Sequence, residues 1–401
     1  MITESKDAKE IQCGAMNPTR RVTRERSEQL MKAAEFSFPA VLSAYDWGGE
    51  ITDVSRYGMG HINETYRVEV RLPDGSETAY ILQKVNTGIF KDPAGLMENI
   101  VHVTEYLRDH LRRTGGDAER GAMRVINTRD GRSWYQGKDD SCWRVYVFVP
   151  HTICLQRVER DSDFYESAVA FGNFQNQLAG FPADTLHESI PNFHNTPVRY
   201  ETFEKAVAAD AAGRAASVQD EIAFIRARKG DCSYLAALLR EGKLPLRVTH
   251  NDTKLNNVLL DSVTRKGVCV IDLDTVMPGL AAWDFGDAIR YGANDCPEDE
   301  PDVTKVRFNM SKYETYLGGY LDAAGAALTP LEKEILPWGA RIITLETGIR
   351  FLTDYLEGDH YFRISRPSQN LDRAHKQFKL VQDMEAAFPA MCQAVARYTG
   401  R

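Results

Sequence analysis

Apolar residues recur with two different periods along this chain, and the change between them divides it. Residues 51–57, 64–72 and 79–85 alternate or cluster Ile, Val, Tyr and Leu in short runs. They are broken by Gly58-Met-Gly-His-Ile-Asn63 and by Pro73-Asp-Gly75. This predicts three strands joined by tight turns. Leu96, Ile100, Val103 and Leu107 then return at helical spacing, which predicts a helix over 93–113. Shorter apolar runs at 123–125, 134–135 and 143–149 predict further strands. After Pro150 the helical period takes over. Phe164, Ala168, Phe171, Gln175 and Leu178 share one face of a helix over 162–178. Helices are also predicted over 200–212, 218–229 and 232–241, after Asp287, from the Thr329-Pro330 start signal, and over 371–398. A short helix is expected within 34–46.

The result is an α+β chain in two lobes: a small antiparallel-sheet lobe over 34–149 and a larger, mainly helical lobe over 150–401. Residues 1–33 are polar, with Arg20, Arg21, Arg24 and Arg26 clustered, and are expected to form a mobile tail.

One stretch interrupts the helical half with chemistry. Arg247-Val-Thr-His-Asn-Asp-Thr-Lys-Leu-Asn-Asn places Lys254 two positions, and Asn257 five positions, after Asp252. Two apolar runs follow, and the second, Val268-Cys-Val-Ile, ends in Asp272. Phosphoryl transfer is mostly positioning and charge neutralisation. Asp252 is the candidate base that orients an attacking hydroxyl. Asn257 and Asp272 can supply oxygens to Mg²⁺, which prefers a carboxylate, few other protein ligands and the phosphates themselves. Protein kinases carry the same layout. Asp284-Phe-Gly286 imitates a kinase metal motif, but it lies 27 positions after Asn257, whereas Asp272 lies 15 after it, the span of a short hairpin. The metal is therefore assigned to Asp272. Asp284 and Asp287 are expected to cap or brace a helix starting near Phe285. Asp274 is expected to share the strand face of Asp272, as a second contact or a support, with Lys254 also in a supporting role.

In a kinase-like lobe the first turn, with Gly58 and Gly60, would lie over nucleotide phosphates, because backbone N–H groups approach closely there. The third strand reads Tyr80-Ile-Leu-Gln-Lys-Val, so Gln83 stands where a kinase lysine would, and Lys84 points to the other face unless a bulge redirects it. Phe148 and Val149 would form the hinge whose backbone meets adenine.

Composition narrows the setting. The 401 residues carry a formal net charge of −8, which argues against nonspecific nucleic-acid binding. Seven scattered cysteines without Cys-x-x-Cys suggest neither structural zinc nor a disulfide framework. No apolar run reaches 18 residues and no signal core opens the chain, so a cytoplasmic protein without membrane partner is expected.

These residues resemble the aminoglycoside phosphotransferase and choline kinase-like superfamily, which has a protein-kinase-like fold. Within it the chain is most similar to the N-acetylhexosamine 1-kinases. The resemblance is carried by Gly60-His-Ile-Asn-Glu-Thr-Tyr66, Tyr80-Ile-Leu-Gln-Lys-Val-Asn-Thr-Gly-Ile-Phe90, Trp143-Arg-Val-Tyr146, Phe171-Gly-Asn-Phe-Gln-Asn176, the catalytic stretch, and Gly348-Ile-Arg-Phe-Leu-Thr-Asp-Tyr-Leu-Glu-Gly-Asp-His-Tyr361. It implies ATP- and Mg²⁺-dependent phosphorylation of the anomeric hydroxyl of N-acetylglucosamine or N-acetylgalactosamine. It also implies His61, Asn63, Thr275, Tyr291, Arg350 and Tyr361 as sugar contacts. Tyr291 stands where a member of that branch carries Phe. A monomer is expected, with a homodimer as the alternative. From the residues alone, Arg350 could instead pair with Asp354, four positions on. The same engine would also serve another small alcohol, such as an aminoglycoside, choline or homoserine. Gln83 leaves open a nucleotide-binding regulator without catalysis.

Overall fold

The structure is a computed structural model and describes residues 38–58 and 62–400. The N-terminal tail, Gly60 and His61 lie outside the described residues.

A short helix α1 (Phe38–Ser43) leads into β1 (Glu50–Arg56), β2 (Glu64–Arg71) and β3 (Glu77–Val85). After helix α2 (Pro93–Thr114) come β4 (Val125–Ile126), β5 (Tyr135–Gln136) and β6 (Cys142–Val147). These six strands form one antiparallel sheet in the order β1-β2-β3-β6-β4, with β5 also on β6. Its outer face packs Tyr45, Trp47, Val68, Leu82 and Trp143 into a core of its own.

Helix α2 starts at Asp92, whose carboxylate accepts from Gly95 N–H, and ends at left-handed Gly115. The predicted stripe of Leu96, Ile100, Val103 and Leu107 is buried. It meets Val85, Cys142 and Tyr146 of the sheet on one side, and Phe174, Leu273 and Val276 of the helical half on the other. One apolar face thus joins sheet, helix and catalytic region.

The helical half opens with β7 (Thr152–Cys154) and α3 (Asp161–Gln177), followed by α4 (Thr196–Ala209), α5 (Gln219–Arg226), α6 (Lys229–Cys232) and α7 (Tyr234–Arg240). The catalytic stretch supplies β8 (Arg247–Thr249), β9 (Val258–Asp261), β10 (Gly267–Val270) and β11 (Met277–Gly279). Strands β10, β9 and β7 form one small sheet, and β11 and β8 another. Then follow α8 (Ala281–Gly292), α9 (Met310–Ala324), α10 (Pro330–Glu334), α11 (Leu336–Glu357) and α12 (Gln369–Thr399). Thr329 caps α10 through a reciprocal capping box with Glu332, as the Thr-Pro signal implies. Among the described residues no helix is long and apolar enough to cross a membrane.

Two expectations need correction. Helix α8 begins at Ala281, not near Phe285, so Asp284 lies inside its first turn and cannot cap it. Strand β10 stops at Val270, and Asp272 and Asp274 lie on a turn rather than on one strand face. The acidic segment 295–302 is tied to the helices around it. Asp295 pairs with Lys312, Glu298 accepts from Arg290 at 2.8 Å, and Asp299 accepts from Gln369 at 2.8 Å.

Beside that segment Lys376 of α12 is buried, donating to the Cys296 carbonyl at 3.0 Å. Burial pushes its pKa down from 10.5 to about 8, against the pull of Glu298. Below pH 8 the fold must hold a buried ammonium. The native state sheds that proton first as pH rises, so this penalty is relieved between about pH 8 and 10.5. Lys376→Met is expected to be more stable than wild type at pH 7 by on the order of 2 kcal/mol. The gap should narrow by pH 10, as urea unfolding at both pH values will show.

Candidate active site

The loop between β8 and β9 is fixed before any ligand arrives. Asp284 is buried and reaches up from α8. Its carboxylate accepts from the backbone N–H of His250 at 2.9 Å and of Asn251 at 2.7 Å, and from Gln175 Nε2 at 2.8 Å. Thr253 Oγ1 donates to the Asp284 carbonyl at 2.5 Å. Asp284 therefore braces the loop rather than its own helix. Burial raises its pKa, against these donors and His250.

His250 is fully buried between Phe171 and Phe174. Its Nδ1 accepts from Asp252 N–H at 3.3 Å, which assigns the ring proton to Nε2, 2.9 Å from the Ile271 carbonyl. The Asn257 carbonyl accepts from Ile271 N–H at 2.9 Å. One histidine and one backbone bond thus lock the loop to the segment carrying Asp272.

Within this frame Asp252 lies 2.8 Å from Lys254 Nζ through Oδ1, and its Oδ2 accepts from Asn257 Nδ2 at 3.1 Å. Asn257 Nδ2 also holds the Asp252 carbonyl at 2.8 Å. With its nitrogen so used, Asn257 keeps Oδ1 for another partner. Burial alone would raise Asp252, but the Lys254 ammonium more than offsets this and holds it below the usual carboxylate value.

Asp272 takes a left-handed conformation, φ 62° and ψ 58°, which a residue with a Cβ rarely adopts and which turns it out of strand geometry. Its carboxylate opens onto the cleft and makes no hydrogen bond to any described residue. The enclosing walls, then the charges of Asp274 and Asp252, push its pKa up to about 7. With all groups ionised, Asp252, Asp272 and Asp274 face Arg144 and Lys254, leaving one excess negative charge. Among the described residues no three His, Cys, Asp or Glu side chains converge as metal ligands, so a cation here would share its coordination with the substrate phosphates.

Asp274 is not free for such a cation. Its Oδ1 lies 2.5 Å from Arg144 Nη1 and its Oδ2 accepts from Asn63 Nδ2 at 2.6 Å. Gln83 Oε1 accepts from Arg144 Nε and Nη2 at 3.1 and 2.9 Å, while Gln83 Nε2 donates to Thr65 at 3.0 Å. Both ends of the Gln83 amide are thus committed within the protein. The register of β2, β3 and β6 runs unbroken through residues 83 and 84, so no bulge redirects Lys84, whose Nζ lies 5.8 Å from the outer-face Trp143 ring.

The chain matches the model of the phosphotransferase enzyme family, APH, over residues 53–329. It belongs to that family. Among solved structures it is similar to a microcompartment-associated aminopropanol kinase, with TM-score 0.57 at 18% identity over 90% of this chain and 98% of that one. An amicoumacin kinase in complex with AMP-PNP and Ca²⁺ gives TM-score 0.55 at 13% identity over 90% and 96%. A spectinomycin phosphotransferase in complex with ADP and spectinomycin gives 0.54 at 13% over 89% and 98%. These likenesses identify the kinase-like α+β fold with its antiparallel N-lobe and helical C-lobe.

In this phosphotransferase the expected site residues divide into three groups. Asp252, Lys254, Asn257, Asp272 and Asp274 come together as described. Thr275 is drawn into the same frame: its Oγ1 donates to the His250 carbonyl at 2.7 Å. Asn63 spends its amide on Asp274 and accepts from Asn86 N–H at 3.0 Å.

A second group borders the loop. Tyr291 is half-buried on α8, its hydroxyl donating to the Gln156 carbonyl at 2.7 Å. Arg350 on α11 lies over the Phe193, Phe362 and Tyr361 rings at 5.0, 5.5 and 5.8 Å. The exposed Tyr361 hydroxyl is 3.5 Å from Arg350 Nη2. The Asp354 pairing does not form: that carboxylate accepts from the backbone N–H groups of His360, Tyr361 and Phe362 instead. Among the described residues no carboxylate lies within ion-pair reach of Arg350. Its turn is tied to the catalytic loop by Glu346, which holds His194 at 2.8 Å, and by His194 Nε2, which lies 3.2 Å from the Asn251 carbonyl.

At the lobe junction Gly58 opens the first turn with φ 77°. Phe148 donates its N–H to the Ala79 carbonyl at 3.1 Å, while the next N–H, that of buried Val149, has no partner among the described residues.

The buried Arg144 and the loop brace from Asp284 are the features of this site that pattern reading misses. A lone charge in the apolar run Cys-Trp-Arg-Val-Tyr-Val was the available signal for Arg144.

Proposed function

We propose that this protein transfers the γ-phosphoryl group of ATP to the anomeric C1 hydroxyl of N-acetylglucosamine or N-acetylgalactosamine, giving the sugar 1-phosphate and ADP. The observation that carries the transfer is the convergence of Asp252, Lys254, Asn257 and Asp272 at the cleft floor. Asp252, oriented by Asn257, receives the hydroxyl proton. An anomeric hydroxyl is more acidic than an ordinary alcohol, so a carboxylate of low basicity suffices. The Lys254 ammonium supplies positive charge beside the transferred group.

Asn257 Oδ1 and the Asp272 carboxylate fit Mg²⁺: both are oxygens without a partner among the described residues, in a cleft with excess negative charge. Those two residues would hold the ion, which neutralises phosphate charge when bound. The Val149 N–H is a ready donor for adenine. In this reading the turn opened by Gly58 covers the phosphates. The nucleotides and divalent ion in the amicoumacin kinase and spectinomycin phosphotransferase complexes support the same use here.

The acceptor is read from Arg350. A guanidinium with no carboxylate in ion-pair reach among the described residues, framed by Phe193, Tyr361 and Phe362, suits the carbonyl and methyl of an acetamido group. It also repels a polycationic aminoglycoside. Tyr291, Thr275 and Tyr361, with His61, complete the proposed sugar contacts.

ADP release with Mg-ATP, measured against N-acetylglucosamine, N-acetylgalactosamine, glucose, galactose, choline and kanamycin, tests this reading. The N-acetyl sugars should be preferred at least tenfold in kcat/KM over the parent sugars, and Arg350→Ala should abolish most of that preference. Turnover confined to choline or kanamycin would refute the sugar assignment and leave the transfer machinery standing.

A further inference from the structure

Arg144 is 1% exposed, on a strand whose neighbours are apolar, and the chemistry so far gives it no task. Its surroundings are built for it. Gln83 sits directly opposite in the β3–β6 register. Thr65 accepts the Gln83 amide N–H, which leaves Oε1 to face the guanidinium and take two of its N–H groups. The remaining fork nitrogen meets Asp274, whose second oxygen takes the Asn63 amide, and Asn63 is pinned to Asn86 N–H. The Asp274 carbonyl accepts from Ser189 at 2.7 Å. A continuous polar chain therefore runs from the end of the glycine turn, across β2, β3 and β6, to the turn that holds Asp272.

We propose that Arg144 is a positioning residue that latches the glycine turn to the metal-binding turn, with Asp274 and Asn63 as the two ends of the latch; this rests on phosphoryl transfer at Asp252 but not on the identity of the acceptor. The sheet lobe lacks a cation at residue 83 on its third strand, and the adjacent strand supplies one that is directed at a protein carboxylate rather than at solvent. An apolar contact would hold the lobes together as well, but it would not specify one placement, whereas a buried ion pair whose two members are each hydrogen-bonded to a further side chain does. Without Arg144, Asp274 becomes a second uncompensated charge beside Asp272, and the turn keeps its ties to His250, Asn257 and Ser189 but loses its tie to β6. Without Asn63, the glycine turn is released from it. Either loss disrupts the phosphate–metal half of the nucleotide site and spares the hinge half. Asn63 thereby acts on nucleotide rather than on sugar.

Calorimetry of ADP binding, with and without Mg²⁺, separates these halves in Arg144→Met, Arg144→Lys and Asn63→Ala. Arg144→Met and Asn63→Ala should each weaken MgADP at least tenfold while leaving metal-free ADP within about twofold of wild type. Arg144→Lys, which keeps the charge on Asp274, should recover at least half of the loss on a logarithmic scale. In steady state, Asn63→Ala should raise KM for MgATP and leave KM for the acceptor unchanged. Should Arg144→Met fail to fold, Asn63→Ala alone decides, since its half-buried side chain leaves the core intact. MgADP affinity within twofold of wild type in Asn63→Ala, or equal weakening of both nucleotide forms, would overturn the latch. Absence of MgADP binding by the wild-type protein would instead overturn the phosphotransfer reading beneath it.

Discussion

Asp252→Asn is expected to lower kcat by roughly 10³-fold, within the range for loss of a positioned proton acceptor, and to change KM for ATP by less than threefold. The amide is nearly isosteric and can still meet Asn257 once that side chain reorients, so the loop brace from Asp284 and the His250 lock remain. What disappears is the charge. Lys254 loses its 2.8 Å partner and the attacking hydroxyl loses its proton acceptor. A fall in kcat without a matching rise in KM marks a group that acts in the transition state rather than in binding. Activity within a few-fold of wild type would remove Asp252 from its assigned role.

Asp284→Ala should be the most destabilising change near the site. Two backbone N–H groups, of His250 and Asn251, and the Gln175 amide all lose their acceptor in a region closed to water. An unsatisfied buried donor costs about 1–3 kcal/mol, and three sharing one acceptor relax partly together, so a total of about 3–5 kcal/mol is expected. Because the loop carries Asp252, kcat should fall at least tenfold even at temperatures where the variant is folded. Urea unfolding and kcat at 15 °C measure the two effects separately. A variant with wild-type stability would show that the brace is redundant.

The contrast between these residues explains what the chain reveals by itself. Helix α2 is legible because its stripe of Leu96, Ile100, Val103 and Leu107 faces two cores at once and leaves no alternative period. Asp252, Asn257 and Asp272 are legible because the loop and hairpin that gather them are local in sequence. Arg144 is not, since its meaning depends on the β3–β6 register and on Asp274, 130 positions away. Asp284 looked like a helix cap because aspartate before an apolar run usually is one. Only the approach of α8 to the catalytic loop shows whose N–H groups it receives. The second strand stops short of Asp272 because that residue turns left-handed, a conformation that periodicity cannot register. Asp354 looked like an ion-pair partner four positions from Arg350, but three backbone N–H groups of the following loop compete for it and prevail.

The most direct test of the central claim is the position of the new phosphate. Phosphorus NMR of the product from Mg-ATP and N-acetylglucosamine should give a single phosphomonoester signal coupled to the anomeric proton, with ADP formed in equal amount. A phosphoester signal coupled to the C6 protons, or ADP formed without any phosphosugar, would contradict it.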